Sequence, residues 1–262
     1  MKLRLSVEEF DKGLEKLSKE FKIFAPKSFQ DRGTYSDTDI VKYDVVNHFD
    51  EMVWDRKSNF SPKETILPIN QVLFYFTEKE FTESTEEEKK ILVFLRACDL
   101  NAVKRIDQIY LANGANKDTF YARRREKVKF VVVGCTESYR NCFCVSMGSN
   151  TVDNYDAAMN IRNNEIYLEI QNDSLAVFEG EKTDFNIDFV KENKFSIEVP
   201  ENIDFMHLQS HSMWDEYDTR CIACGRCNFT CPTCTCFSMQ DIYYRENQNV
   251  GERRRVWASC QV

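Results

Sequence analysis

The residues of this sequence best suited to chemistry are a run of cysteines near its C-terminus. Cys221, Cys224, Cys227 and Cys231 follow the spacing C-x2-C-x2-C-x3-C, and Pro232 comes directly after them. Bacterial proteins use this spacing to hold a [4Fe–4S] cluster, in which each iron needs one thiolate. In two-cluster proteins the cysteine before the proline ligates the other cluster. The run therefore supplies three ligands to one cluster, and the fourth comes from elsewhere.

A zinc site and a disulfide knot are the two alternatives for this run. Zinc sites usually have two C-x2-4-C pairs held apart by a longer spacer. Six cysteines between residues 221 and 236 fit that pattern poorly. Gly225 can adopt a left-handed turn that lets backbone amides approach sulfur, and Pro232 fixes φ where the chain leaves the loop. We therefore expect an iron–sulfur site.

Composition limits the class of protein. The chain has 262 residues, enough for one large or two smaller domains. Its net charge of −8 gives no electrostatic support to nucleic-acid binding. There is neither an apolar signal segment near Met1 nor an apolar run long enough for a membrane span. A cytoplasmic chain with 11 cysteines is typical of metal-binding or redox proteins.

The middle of the sequence predicts an α/β unit. Ile91–Arg96 and Val128–Val133 have the composition of buried strands. Between them, Leu100–Leu111 has helical periodicity, and Asp99 is placed to cap that helix. Strand, helix and strand in this order indicate neighbouring strands of one sheet.

Four more cysteines follow these strands. Cys98 comes after the first strand, Cys135 after the second, and Cys142 and Cys144 lie in the next loop. Binding sites gather at the carboxyl ends of strands in such sheets, where four thiols can converge. The alternative is that they are ordinary buried cysteines, which behave as small hydrophobes. The C-x-C pair argues against that alternative, because neighbouring loop thiols are poor core residues.

The remaining pattern predicts an α+β protein with two domains. A mixed α/β domain over residues 1–205 would precede a ferredoxin-like, α-helical segment over residues 206–262. Ser6 and Glu9 form a capping box at the start of a helix over residues 6–21. Further strands are predicted at Lys22–Ala25, Val41–Val45, Ile166–Ile170, Leu175–Phe178 and Phe195–Val199, and further helices at Phe205–Tyr217 and Phe237–Tyr244.

Several blocks of sequence also resemble a known family. They are Leu95–Leu100 (LRACDL), Tyr121–Arg124 (YARR), Gly134–Glu137 (GCTE), Asn141–Gly148 (NCFCVSMG) and Cys227–Phe237 (CNFTCPTCTCF). They resemble the iron–sulfur subunit of anaerobic sulfite reductase, and they also occur in the related β subunit of nickel–iron sulfhydrogenases. The likeness runs over at least residues 90–260, and the C-P-T-C-T-C-F block is its most specific part.

The resemblance implies a non-catalytic iron–sulfur electron-transfer protein that works in a cytoplasmic complex. Its partners would be two other subunits, one flavin-containing and NADH-oxidising, the other a catalytic sirohaem subunit that reduces sulfite to sulfide. It implies a first [4Fe–4S] cluster on Cys98, Cys135, Cys142 and Cys144, and one or two more in the full-length ferredoxin-type segment. A hydrogenase or sulfhydrogenase complex is the alternative assembly. A zinc-stabilised interaction domain without a redox role is the alternative of another class.

The sequence departs from the family pattern at its end. Family members continue into a second C-x2-C-x2-C-x3-C-P run, so we expect this sequence to be truncated before that run. The fourth ligand of the cluster on Cys221, Cys224 and Cys227 stays open, and Cys234, Cys236 and Cys260 are candidates.

Two other groups of polar residues have simple interpretations. We interpret His48, His207 and His211 as structural or surface residues, with His211 as a minor candidate for a cluster ligand. The run Arg123–Arg125 is interpreted as a solvated helix face, and its alternative is a docking patch for an acidic partner or a phosphate.

Overall fold

The computed structural model describes residues 1–33, 35, 37–85, 89–246 and 248–258. Its strands are β1 (Lys2–Ser6), β2 (Phe21–Phe29), β3 (Ile40–Val45), β4 (Asn70–Phe76), β5 (Phe81–Glu83), β6 (Lys90–Leu95), β7 (Val128–Val133), β8 (Ala157–Arg162), β9 (Glu165–Ile170), β10 (Glu181–Lys182), β11 (Phe237–Tyr243) and β12 (Gly251–Trp257). Its α-helices are α1 (Val7–Ser18), α2 (Ala97–Ala112), α3 (Thr119–Glu126), α4 (Phe205–Gln209), α5 (Met213–Arg220) and α6 (Arg226–Thr230).

Eight strands form a mixed sheet in the order β10-β1-β9-β8-β7-β6-β2-β3. The pairs β2/β6, β6/β7 and β7/β8 are parallel, and the others are antiparallel. The central strands β6 and β7 are almost wholly buried, as expected of parallel strands covered on both faces. The predicted strands at Lys22–Ala25, Val41–Val45, Ile91–Arg96, Val128–Val133 and Ile166–Ile170 all lie in this sheet.

Two apolar cores lie on the opposite faces of this sheet. Leu92 and Phe94 of β6 belong to one core together with residues of α1. Val93, between them in the sequence, belongs to the other core together with residues of α2. This alternation follows from the two-residue period of a strand. The confirmed fold class is thus α+β, with a mixed α/β part around a large sheet.

The caps of the first two long helices test two predictions. The capping box at α1 is confirmed, because Ser6 Oγ accepts from the Glu9 N–H at 3.3 Å and Glu9 Oε2 accepts from the Ser6 N–H at 2.8 Å. The prediction that Asp99 caps α2 is wrong. That helix begins earlier, with Arg96 at the N-cap, and Asp99 lies inside the first turn.

A second sheet of four antiparallel strands has the order β11-β12-β4-β5. The predicted helix at Phe237–Tyr244 is wrong, because residues Phe237–Tyr243 form β11 and every residue of it pairs with β12. That pairing satisfies the backbone hydrogen bonds that a helix would have made internally. The sheet joins strands from both sides of the predicted boundary at residue 205, and that boundary stays a prediction.

Three further predictions differ from the structure. The segment Leu175–Phe178 follows a short 3₁₀ turn at Asp173–Leu175 and is not a strand, and no strand lies at Phe195–Val199. Both segments lack a paired neighbour. The helix predicted at Phe205–Tyr217 is divided into α4 and α5, because α4 ends at Gln209 and the hydroxyl of its C-cap Ser210 donates to the carbonyl of Met206.

Helix length and hydropathy leave no membrane-crossing candidate among the helices of the described ranges.

Candidate metal centres

The first group of cysteines lies at one end of the large sheet. Cys98 is in the first turn of α2, directly after β6, and Cys135 follows β7. These strands pair in parallel as far as Leu95 opposite Val132, so both cysteines follow neighbouring strand ends. Cys142 and Cys144 lie in the loop beyond β7. Cys98 and Cys135 therefore lie at the carboxyl ends of neighbouring strands, as the order of strands and cysteines in the sequence predicts.

The backbone around Gly134 fixes the position of Cys135. The Gly134 N–H donates to Met159 O at 2.7 Å, and the Cys135 N–H donates to Asp188 O at 2.8 Å. A Cβ atom on residue 134 would lie only 2.2 Å from Asn160 Oδ1. Glycine is therefore required for the chain to pass this close to β8 and turn toward the cysteine loop.

Arg96 is the cation of this first site. Its Nη1 donates to Cys135 Sγ at 3.1 Å, and its Nη2 donates to Tyr139 Oη at 2.7 Å and to Trp54 O at 2.8 Å. The guanidinium also lies 4.9 Å from the centroid of the Tyr139 ring. Tyr139 and Trp54 therefore hold one guanidinium against a predicted ligand sulfur, where it donates a charge-assisted hydrogen bond.

Burial shapes the chemistry of Cys98. It raises the pKa of the Cys98 thiol, and the neighbouring Asp99 and Cys144 raise it further. Burial likewise raises the pKa of Asp99, although Arg96 opposes that shift. Because thiols of one group act on each other in this way, Cys98, Cys135 and Cys144 share one electrostatic neighbourhood. An anionic ligand set there would require positive charge nearby, and Arg96 is placed to supply part of it.

Asn193 orients the C-x-C pair. Its Oδ1 accepts from the Val145 N–H at 2.7 Å, and its Nδ2 donates to Cys144 Sγ at 3.6 Å and to Ser138 Oγ at 3.0 Å. Sequence reasoning missed this residue and Arg96. No spacing rule links Asn193 to a loop that lies 49 residues earlier.

The second group of cysteines lies around α6. Cys221 follows α5, Cys224 precedes α6, Cys227 lies in its first turn, and Cys231 is its C-cap. Ala223 and Gly225 have the left-handed φ values of 53° and 69°. This turn lets the Ala223 N–H approach Cys221 Sγ at 3.4 Å. The prediction that Gly225 supplies a left-handed turn is confirmed.

Lys63, from the short 3₁₀ turn at Pro62–Thr65, is buried beside this loop. Only 1% of Lys63 is exposed. Its Nζ donates to the carbonyl oxygen and the Oδ1 of Asn228, both at 2.7 Å, and to Cys234 O at 2.9 Å. Burial lowers the pKa of Lys63, and the thiols of Cys234, Cys231, Cys236 and Cys227 oppose that shift.

The thiols themselves are not gathered into a ligating cage. Within the described ranges no three His, Cys, Asp or Glu side chains form a group that could hold a metal ion. None of the ten cysteines there is in a disulfide, and Cys260 lies outside the described residues. The ligand roles of Cys98, Cys135, Cys142, Cys144, Cys221, Cys224, Cys227 and Cys231 therefore stay predictions.

The donor set nevertheless fits [4Fe–4S] clusters. Each region supplies four cysteine thiols, the ligand that such clusters use. Each region also holds a cation against sulfur or against the cysteine loop, Arg96 in the first and Lys63 in the second. A cavity of about 370 Å³ opens beside the second loop and is lined in part by Cys224 and Trp257.

The histidines and the arginine run have structural contacts. His207 and His211 are exposed on and beside α4, with ring centroids 5.9 Å apart. His211 Nδ1 accepts from the Met213 N–H at 3.1 Å. In the arginine run, Arg123 pairs with Glu83 and Arg125 pairs with Asp107. These partners favour the structural interpretation of both groups.

Comparison with known proteins supports iron–sulfur chemistry at the second group. Residues 220–262 match the family described as 4Fe-4S dicluster domain. Sulfhydrogenase 2 subunit beta of Pyrococcus furiosus is 25% identical over 280 residues, covering 98% of this chain and 79% of that protein. No solved structure matches. The chain is thus a distant homologue of a sulfhydrogenase β subunit, with a C-terminal segment of the 4Fe-4S dicluster type.

Proposed function

We propose that the protein is the iron–sulfur electron-transfer component of a cytoplasmic anaerobic sulfite reductase complex. It receives electrons from a flavin-containing, NADH-oxidising partner and passes them to a sirohaem subunit that reduces sulfite to sulfide. The observation that carries the electron-transfer part is the Cys221–Cys231 run inside a segment that matches a 4Fe-4S dicluster domain. The sulfite-reductase assignment rests on the resemblance of the Asn141–Gly148 and Cys227–Phe237 blocks.

The eight predicted ligands lie in two regions of the chain and would serve up to three clusters. Cys98, Cys135, Cys142 and Cys144 hold one cluster at the carboxyl end of the large sheet. Cys221, Cys224 and Cys227 hold another with a fourth ligand, and Cys231 contributes to a further one. When bound, the clusters supply one-electron transfer with little movement of their ligands. The protein binds them, orients their ligands and sets their potentials.

The chain's own residues perform this tuning by contacts that the structure describes. Arg96 donates to Cys135 Sγ and Asn193 donates to Cys144 Sγ, so two sulfurs of the first site accept hydrogen bonds. Hydrogen bonds to sulfur raise the reduction potential of a cluster. At the second site Ala223 donates to Cys221 Sγ.

A second candidate assembly is a hydrogenase-type complex. The named relative is a β subunit of sulfhydrogenase 2, and the alignment covers 98% of this chain. In this alternative the protein relays electrons to or from a nickel–iron catalytic subunit. The cysteine sites and their chemistry are the same in both assemblies, so only the partner distinguishes them.

The partner is tested by anaerobic affinity purification from cells that express the native operon. Sulfite reductase is supported when a sirohaem subunit stays bound to the tagged protein. It is supported further when NADH lowers the visible absorbance of the clusters and sulfite restores it. Retention of a nickel-containing large subunit, with reoxidation by protons or elemental sulfur and none by sulfite, overturns the sulfite-reductase assignment in favour of the second candidate.

A further inference from the structure

Lys63 is a buried cation whose charge has no acidic partner among the described residues. Its three acceptors there are carbonyl oxygens, two from Asn228 and one from Cys234, and its Nζ lies 4.0 Å from the centroid of the Trp257 ring. An ammonium has three N–H donors and no acceptor, so three acceptors match its charged form. The aromatic face also favours a cation.

A buried charge without a counter-charge is costly. An ion taken out of water loses its hydration, and pairing with an opposite charge is what offsets that loss. Neutral carbonyls and a ring offset only part of it. The remaining compensation has to come from a negative group close to the Asn228 and Cys234 carbonyls. An anionic iron–sulfur cluster on the Cys221–Cys231 loop is such a group, because four thiolates carry more negative charge than the iron–sulfide core neutralises.

The segment that carries Lys63, residues 60–63 (called the strap below), contacts the cysteine loop through hydrogen bonds and through ring packing. The Ser61 N–H and hydroxyl both donate to Phe229 O, at 3.3 and 3.4 Å. The ring of Phe229 packs between those of Phe60 and Trp257, at centroid distances of 6.1 and 5.2 Å. The strap therefore binds residues 228 and 229, which lie between Cys227 and Cys231.

Asn228 connects the strap to the other segments around the cysteine loop. It is 2% exposed, and its Nδ2 donates to Ala258 O and, at 3.5 Å, to Cys236 O. Its two oxygens accept from Lys63. One buried lysine and one buried asparagine thus tie together the strap, the α6 loop, the Cys234–Cys236 segment and the end of β12.

We propose that Lys63 is a positioning and tuning residue of the C-terminal iron–sulfur site. Its ammonium holds the cysteine loop against residues 60–63 and supplies a positive charge beside it. That charge raises the reduction potential of the cluster bound there. The inference rests on the proposed iron–sulfur function and extends it, since it assigns the tuning of this site to a residue far from every cysteine motif.

The sign of the effect follows from electrostatics. Reduction adds one negative charge to the cluster, and a fixed cation stabilises the more negative state. Removing the cation therefore lowers the potential. A tenfold smaller equilibrium constant for one-electron reduction corresponds to about 59 mV, and we expect Lys63→Met to cause at least that loss.

The test compares the full chain with Lys63→Met, Lys63→Arg and Asn228→Asp after anaerobic cluster reconstitution. The readouts are iron per chain and the midpoint potential of each cluster signal by electron paramagnetic resonance. Lys63→Met should lower one midpoint potential and leave the other signals in place. Lys63→Arg keeps the positive charge, so its potential should stay close to that of the unmutated protein. Asn228→Asp keeps the shape of residue 228 and neutralises the ammonium locally, so it should lower the same potential.

The other possible outcomes each support or overturn the proposed role of Lys63. Loss of iron in Lys63→Met with full iron in Lys63→Arg supports a requirement for the charge. Unchanged potentials in Lys63→Met and Asn228→Asp overturn the proposal, as does equal loss of iron in all three variants. Failure of the iron–sulfur role on which the inference rests looks different, because the unmutated protein would then contain no iron.

Discussion

Arg96 Nη1 donates to Cys135 Sγ at 3.1 Å, across the ends of two neighbouring parallel strands. This guanidinium is held on its other side by Tyr139 and Trp54. It therefore cannot leave the sulfur without breaking two further hydrogen bonds. The first cysteine site thus has a cation fixed in place by the fold.

Replacing Arg96 should weaken the first site. Arg96→Met removes the hydrogen bonds to Cys135 Sγ, to Tyr139 Oη and to the Trp54 carbonyl, which keeps only the bond from the Tyr139 hydroxyl. Loss of a residue that orients a ligand typically costs about 10–100-fold in metal affinity. We expect faster loss of iron to a chelator, measured by absorbance. Arg105→Met, on the exposed side of the same helix, is the control. Equal rates for the two variants would contradict this role.

Cys98 should carry one whole cluster. Cys98→Ala is expected to lower the iron content by about four atoms per chain, one cluster's worth. The measurement is iron per chain after anaerobic purification. Thr136→Ala changes an exposed residue beside Cys135 and should keep the full iron content. If Cys98→Ala also keeps it, Cys98 is not a ligand.

Gly225 should be needed for the second site. It has φ of 69° with open space around its Cβ position, so Gly225→Ala costs only backbone strain, about 1–2 kcal/mol. That strain acts on the turn between Cys224 and Cys227, so less iron should be bound. Gly114→Ala is the matched control, since Gly114 also has positive φ and open space but lies far from the cysteines in the sequence. A full iron content in Gly225→Ala would exclude this requirement.

The ion pair between Lys27 and Glu51 makes a prediction about pH. Their charged atoms are 2.8 Å apart, and the hydrogen bonds from Lys27 and from the Asn47 N–H lower the pKa of Glu51. A lowered pKa in the folded state gives stability that is present above the unfolded pKa of about 4.3. It is lost as pH falls through the folded value.

Glu51→Gln should therefore reduce the free energy of unfolding by about 0.5–1 kcal/mol at pH 7. The difference from the unmutated protein should shrink as the pH is lowered below about 4.3. Urea unfolding at several pH values measures it. Glu201→Gln, at an exposed loop position, should show no such difference. A Glu51→Gln deficit that stays constant throughout acidification would rule out this linkage.

Local sequence patterns predicted the centre of the fold well. Strand β7 has the predicted bounds Val128–Val133, and the capping box at Ser6 is present with both of its hydrogen bonds. These features depend on a continuous apolar run and on residues three apart. The pattern at Phe237–Tyr243 failed because its conformation is decided by pairing with β12, and β12 in turn pairs with β4, far earlier in the chain.

The sequence indicates candidate ligands but not the cations beside them. Spacing singles out Cys221, Cys224, Cys227 and Cys231, strand ends single out Cys98 and Cys135, and the ligand roles of all six stay predictions. Lys63 meets Asn228 across 165 residues, and nothing near Lys63 in the sequence indicates a buried lysine. The pairing of β4 with β12 and the contacts of Phe60 and Ser61 with Phe229 bring that part of the chain to the cysteine loop.

The most direct test of the account is the metal content of the full chain purified without oxygen. Iron, acid-labile sulfide and zinc are measured on the same sample, and its spectrum is taken before and after reduction with dithionite. The account predicts iron and sulfide in equal amounts, about four of each per cluster, with visible absorbance that bleaches on reduction. Protein that contains zinc, no iron and no such absorbance would contradict it.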